Sequence, residues 1–284
     1  MPIIKLYLVA GNTFKRLMRV AVIRMSVVDH FERGNEYFNQ HQYLRAIEEY
    51  EKALRVDPTC YKAWIYIGMA YQELGEYTKA IDCYQEAVEI DPENIDVWNS
   101  MTVAYGELGK YKKALKYCKK AFAINPDDAP AWNNKGVVYG RTGNSSKAID
   151  CFLKVLEIDS EIAEAWYNLG LAYYEVGEFN KAIECYEEAT YITPEDENAW
   201  CNMGVAYYKL NEFNNALECY GKVLEINSED TDAWYNMGVA HGKLGNHSQE
   251  IAYYQKALEI DPDHRFAKEK LEEALKKCEL PPYK

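Results

Sequence analysis

Residues 163–196 read AEAWYNLGLAYYEVGEFNKAIECYEEATYITPED, and this stretch decides the fold. With Ala163 as position 1, Trp166, Leu169, Gly170 and Tyr173 fall at positions 4, 7, 8 and 11, the i, i+3, i+4, i+7 stripe of one helix face. Gly177 at position 15 marks the end of that helix, where a left-handed residue is common. Phe179, Ala182, Tyr186, Ala189 and Ile192 then mark a second helix at positions 17, 20, 24, 27 and 30. Pro194 at position 32 closes it, because the residue before a proline avoids the helical region.

The stretch is one of several. Tryptophans stand at 64, 98, 132, 166, 200 and 234, each 34 residues after the last. Aligning on them gives seven repeats: 27–60, 61–94, 95–128, 129–162, 163–196, 197–230 and 231–264. The pattern resembles the tetratricopeptide repeat family over 238 of 284 residues. The resemblance implies an all-α fold, a right-handed superhelical α-solenoid of stacked helix-turn-helix units. Fifteen helices are predicted, two per repeat and one C-terminal cap.

Each recurring residue has a physical reason. Small residues at 8, 20 and 27 let two antiparallel helices approach, and aromatics at 4, 11, 17 and 24 fill the space between them. Position 15 is Gly in five repeats, Asn211 in one and His41 in another, and Asn and His tolerate the left-handed conformation better than most residues. Ser160 and Ser228 replace proline at position 32, which should relax those two turns. Three residues break the packing rule: Thr102 at position 8, Lys135 at position 7 and Glu250 at position 20. A carboxylate at Glu250 is expected to reach water or a cation, since unpaired burial is costly.

The ends differ from the middle. The first repeat carries Asp29 and Glu36 where later repeats have small or apolar residues, with His30 and Arg33 at positions 4 and 7, the polar face a terminal repeat requires. Residues 265–284 read as a capping helix (Phe266, Leu271, Ala274 and Leu275 on its apolar face) and a tail. Residues 1–26 form a basic segment outside the repeats. Three readings are open for it: Met25 is the initiator, the segment is a basic amphipathic helix touching a membrane, or it is a signal peptide interrupted by Lys and Arg. The first is favoured, because a polar-capped first repeat offers no apolar face to a further helix.

The formal charge of −13 is uneven. Residues 1–24 hold five basic residues and no acid, leaving 27 basic and 45 acidic residues, or −18, for the rest. So acidic a body repels a phosphate backbone, and nucleic acid is not an expected partner. Membrane contact is expected, if anywhere, through residues 1–24. Cys83, Cys151, Cys185 and Cys219 recur with the repeat and Cys118 lies one residue out of phase. Stacked repeats are about 10 Å apart, beyond disulfide reach, and no zinc spacing occurs, so these read as packing residues of a reducing, cytoplasmic protein. No cofactor or metal is expected. Catalysis has no foothold: no phosphate loop or nucleophile motif is present, and His241 and His247 stand at core positions 11 and 17.

Projection at 100° per residue puts positions 2, 5, 9, 12 and 13 of the first helix opposite its packing stripe, with 6 at the edge. The family resemblance makes that face a concave, peptide-binding groove. Position 6 is Asn134, Asn168, Asn202 and Asn236 in the last four repeats. An Asn offers donor and acceptor together, so a row of them suits an extended backbone of any sequence. Some members of the family, the O-GlcNAc transferase among them, resemble this in using an Asn ladder, and Asn at 6 is also common family consensus. Tyr167 and Tyr235 at position 5, Tyr174 and Tyr208 at position 12, and Arg141, Lys209 and Lys243 at position 13 border the row. The tyrosines suit recognition, or equally cover neighbouring helices. The carboxylate clamp of co-chaperone members needs Lys at position 5, which is never Lys here, so chaperone-tail binding is not expected. The sequence therefore predicts a scaffold or adaptor that binds a partner protein or peptide in its groove. The alternative is a self-assembling structural protein, which light scattering distinguishes by a concentration-dependent mass.

Overall fold

The computed structural model describes residues 25–279, and the readings given for residues 1–24 and 280–284 lie outside them. Fifteen helices and no strand occur among the described residues. Two compact bodies divide after Val138. The first holds α1 (25–39), α2 (Tyr43–Val56), α3 (Tyr61–Glu73), α4 (Tyr77–Ile90), α5 (Ile95–Glu107), α6 (Tyr111–Ile124) and most of α7 (Ala129–Arg141). The second holds α8 (Ser145–Ile158), α9 (Ala163–Glu175), α10 (Phe179–Ile192), α11 (Glu197–Lys209), α12 (Phe213–Ile226), α13 (Thr231–Lys243), α14 (His247–Ile260) and α15 (Arg265–Glu279). Within each body, consecutive helices pack on one another, and first helices of successive pairs also meet: α3 with α5, and α9 with α11.

The turn inside each pair needs a left-handed residue, and each has one. Gly75, Gly109, Gly143, Gly177 and Gly245 take positive φ, as do His41 at 57° and Asn211 at 63°. The core follows from the close approach these turns permit. Position-24 tyrosines lie flat on position-8 glycines: a Cβ on Gly170 would stand 2.6 Å from Tyr186, and one on Gly204 2.6 Å from Tyr220. Ala182, Ala206 and Ala216, all fully buried, complete this packing.

Two residues that break the pattern explain each other. In the third repeat the usual Cys-Tyr pair at positions 23 and 24 is inverted to Tyr117-Cys118. Removing the ring from position 24 makes room at position 8, and the fully buried Thr102 fills it, donating its hydroxyl to Trp98 O at 3.0 Å. Lys135 is likewise accommodated: its ammonium sits 4.0 Å from the Trp132 ring centroid.

Glu250 finds its partner one turn back in its own helix. Only 4% exposed, it pairs with His247, accepting from Nδ1 at 2.9 Å, and lies over Gly242, whose missing side chain leaves the space. The serine turns leave the helix end in place. α8 and α12 end at Ile158 and Ile226, the same position at which α2, α4 and α6 end before prolines. The serine turns keep the side-chain bond that proline turns also make: Asp159 and Asn227 accept from the amides of Glu161 and Glu229 at 2.9 and 3.1 Å, as Asp57 does from Thr59 at 3.0 Å and Asn125 from Asp127 at 3.1 Å.

All six tryptophans brace the turns. Each indole Nε1–H donates to the position-32 carbonyl just before its own helix, at 3.3 Å for Trp64 to Pro58 and 2.9 Å in the others, Ser160 and Ser228 included. In the first repeat position 4 is His30 instead of tryptophan. There Glu49 takes position 23, and its 8%-exposed carboxylate gathers His30 at 2.8 Å, Lys52 at 2.5 Å and Arg33 at 3.8 Å. The hydrogen bond from Lys52, aided by His30, holds the Glu49 carboxyl below its ordinary range although burial opposes it.

Candidate functional site

The candidate groove is built on the first helices of the later pairs. In the second body Asn168, Asn202 and Asn236 stand half-buried on α9, α11 and α13, and Asn134 stands half-buried on α7 in the first. Each occupies the same position of its helix, so within the second body the row is a consequence of the repeat. A direct link joins neighbouring first helices there: Asn202 Nδ2 donates to Tyr167 Oη at 3.0 Å. That bond fixes the amide's orientation and leaves Oδ1 and a second N–H for other partners. Burial pushes the Tyr167 hydroxyl above its ordinary pKa, so it remains a neutral acceptor for Asn202.

The bordering tyrosines are half-buried and packed. Tyr167 lies 6.0 Å from the Tyr186 ring, Tyr174 5.3 Å from Phe179, Tyr208 5.4 Å from Phe213 and Tyr235 5.8 Å from Tyr254. Each therefore covers the pair's second helix with one face while its other side borders the row. Tyr235 is further enclosed by His264 and Phe266 where α15 begins. Arg141, Lys209 and Lys243 are exposed and occupy the last residue of α7, α11 and α13, where a cation also complements the carboxyl end of the helix.

One groove position carries a link not foreseen from sequence. Asn99, at position 5 of α5, is 7% exposed and donates to Asp128 Oδ2 at 2.8 Å, the same oxygen that caps α7 at Ala131 N. A pattern of Asn at 5 followed by Asp at the next cap was the available signal.

Among the described residues no cluster of three His, Cys, Asp or Glu side chains is arranged for a metal ion, and no helix is long and apolar enough to cross a membrane. Their cysteines form no disulfide. Burial, reinforced by neighbouring carboxylates, pushes the Cys83, Cys185 and Cys219 thiols up to about 12, so they are protonated packing groups rather than nucleophiles.

The tetratricopeptide repeat model matches residues 61–94, 95–128, 129–161, 197–230 and 231–264, with further models of the same repeat at 28–60 and 151–184 and a TPR repeat model at 172–211. No curated protein matches the chain. Similar solved structures include a tetratricopeptide repeat protein from Parabacteroides merdae, 18% identical with a TM-score of 0.63, the match covering 88% of this chain and 99% of that one. YrrB, described as a TPR protein with an unusual peptide-binding site, is 24% identical with a TM-score of 0.57, covering 66% and 96%. MamA is 26% identical with a TM-score of 0.50, covering 61% and 94%. The repeated matches, the paired helices and the all-α architecture together make this chain a member of the tetratricopeptide repeat family, an α-solenoid class whose arrays serve as protein-interaction scaffolds.

Proposed function

We propose that the chain is an adaptor that holds an extended segment of a partner protein along the first helices of its second body. The observation that carries this reading is the recurrence of Asn168, Asn202 and Asn236 at one helical position, edged by Tyr174, Tyr208 and the cations Lys209 and Lys243. An extended backbone gives its amide and carbonyl groups to the row, whatever its sequence, and the edge selects acidic or aromatic side chains. Asn134 offers the same chemistry on the first body. Cations on an otherwise acidic surface favour an acidic segment by steering and by excluding basic ones.

A photo-cross-linking residue placed at Tyr208 tests this. It should capture a native partner from cell extract at a peptide rich in Asp, Glu or aromatic residues. The same residue placed at Glu195, in the turn between repeats, should not capture that peptide. Equal capture from both positions, or capture from Glu195 alone, contradicts the proposal.

A further inference from the structure

The face of the helix pairs directed away from the asparagine row carries a second pattern. Tryptophan at position 4 and an aromatic or His at position 11 stand about one ring's width apart, and position 23 of the second helix lies between them. In the third repeat that position is Tyr117, stacked between Trp98 and Tyr105 with centroids 5.8 and 5.1 Å away. In the seventh it is Tyr253, stacked between Trp234 and His241 at 5.7 and 5.0 Å. In the fourth, a ring and a cation reach the tryptophan from elsewhere: Phe122 packs 4.6 Å from Trp132 and Lys135 sits over it.

The second and sixth repeats have none of these. Position 23 is Cys83 or Cys219 there, as it is Cys185 in the fifth repeat, too short to fill the gap, and clefts of about 440 and 520 Å3 open beside Trp64 and Trp200. The larger is walled by Trp200, Met203 and Tyr207, floored by Cys219 and edged by Tyr191, which is 84% exposed. Its charged rim is Glu187, Glu218 and Lys222, with Tyr207 Oη donating to Glu187 at 3.4 Å. The smaller has Glu51 and Arg55 on its rim.

We propose that these two clefts are sockets for an aromatic side chain of a partner protein, presented next to a Lys or Arg. The fold itself shows what fits: a tyrosine ring between the position-4 and position-11 rings, or a ring with a cation on the tryptophan. Such stacking is favourable beyond the area it buries, and a cation over an indole adds to it. The excess of carboxylates at the Trp200 rim selects a basic neighbour for the ring, the reverse of the preference proposed for the asparagine row. The two surfaces are therefore independent, and failure of either leaves the other standing.

The six indole N–H resonances of the full chain, assigned by single Trp→Phe variants, read this out by NMR. Titration with an acetylated, amidated Lys-Tyr-Lys peptide should shift Trp64 and Trp200 saturably and leave Trp98 and Trp234, whose neighbouring gaps are filled, unmoved. Lys-Ala-Lys should shift neither, and Glu-Tyr-Glu should bind at Trp200 at least about fivefold more weakly. Cys219→Tyr, which copies the seventh repeat, should abolish the Trp200 response and preserve that of Trp64. Conversely, Tyr253→Cys should open a response at Trp234. Shifts at Trp98 and Trp234 matching those at Trp64 and Trp200, an unchanged Trp200 response in folded Cys219→Tyr, or no new response in Tyr253→Cys would overturn the proposal.

Discussion

A tyrosine buried at position 24 must find an acceptor for its hydroxyl, and the repeats solve this unequally. Tyr50 donates to Asn35 at 2.8 Å and Tyr84 to Gln72 at 3.2 Å, whereas the fully buried Tyr186 has no partner for its hydroxyl. The cause is local: Asn35 and Gln72 occupy positions 9 and 12, and the fifth repeat has Leu171 and Tyr174 there. An unsatisfied buried hydroxyl costs about 1–3 kcal/mol, so Tyr186→Phe should be neutral or stabilising by about 1 kcal/mol. Tyr50→Phe should cost about 1 kcal/mol or more, because Asn35 loses its donor. Denaturant melts of the two variants check this, and equal losses would contradict it. The packing role of Tyr186 was legible from its spacing, but its missing acceptor was not. That depends on which residues face it across the pair, and the period does not report it.

At the scale of the helix, the last pair is held by an exchange between its two members. Six repeats have Ala at position 20 and the seventh has Glu250, whose carboxylate takes the space beside Gly242. A Cβ at Gly242 would stand 2.6 Å from Glu250 Oε1, so Gly242→Ala alone must displace the carboxylate from His247 and should destabilise. In a Glu250→Ala background the same change meets no such obstacle and gains the helix preference of Ala over Gly, about 0.8–1 kcal/mol. The double variant should therefore exceed the wild type in stability, with coupling of at least about 0.5 kcal/mol between the sites. Additive effects in denaturant melts would show that the two residues do not share the space. Sequence flagged Glu250 as an anomaly but did not show the space beside Gly242, because Gly242 and Glu250 sit in different helices and only packing brings them together. Helix ends were read better: His41 and Asn211 adopt the left-handed turn that position 15 demands. At the serine turns the tryptophan and Asx bonds are made without a proline ring.

For the molecule as a whole, stability in a repeat array is a sum of local terms, so pH should act on the two bodies separately. Burial lowers the pKa of His241, which stacks on Tyr253 in the second body. A lowered folded pKa favours the neutral form. Its contribution is thus present above the unfolded value of about 6.5 and is lost as pH falls through the folded value. Glu49, in the first body, is lowered chiefly by its bond to Lys52, so its contribution survives until pH falls below about 4.5. Between about pH 7 and about pH 5 the second body should therefore soften while the Glu49 cluster holds, and His241→Phe should flatten the drop. Thermal melts across that range check this, and an unchanged slope in His241→Phe would contradict it. The candidate groove residues were picked out in the sequence by the 34-residue period. The Asn202–Tyr167 bond was not, since it joins position 6 of one repeat to position 5 of another. The proposed adaptor role depends on the asparagine row. Each neutral hydrogen bond is worth about 1 kcal/mol net and each 1.4 kcal/mol is a factor of ten in affinity. Calorimetry of the captured partner against a variant with Asn168, Asn202 and Asn236 all changed to Ala is the direct measurement. Binding should be at least about tenfold weaker, with an unchanged helical signal. Wild-type affinity in that folded variant would contradict it.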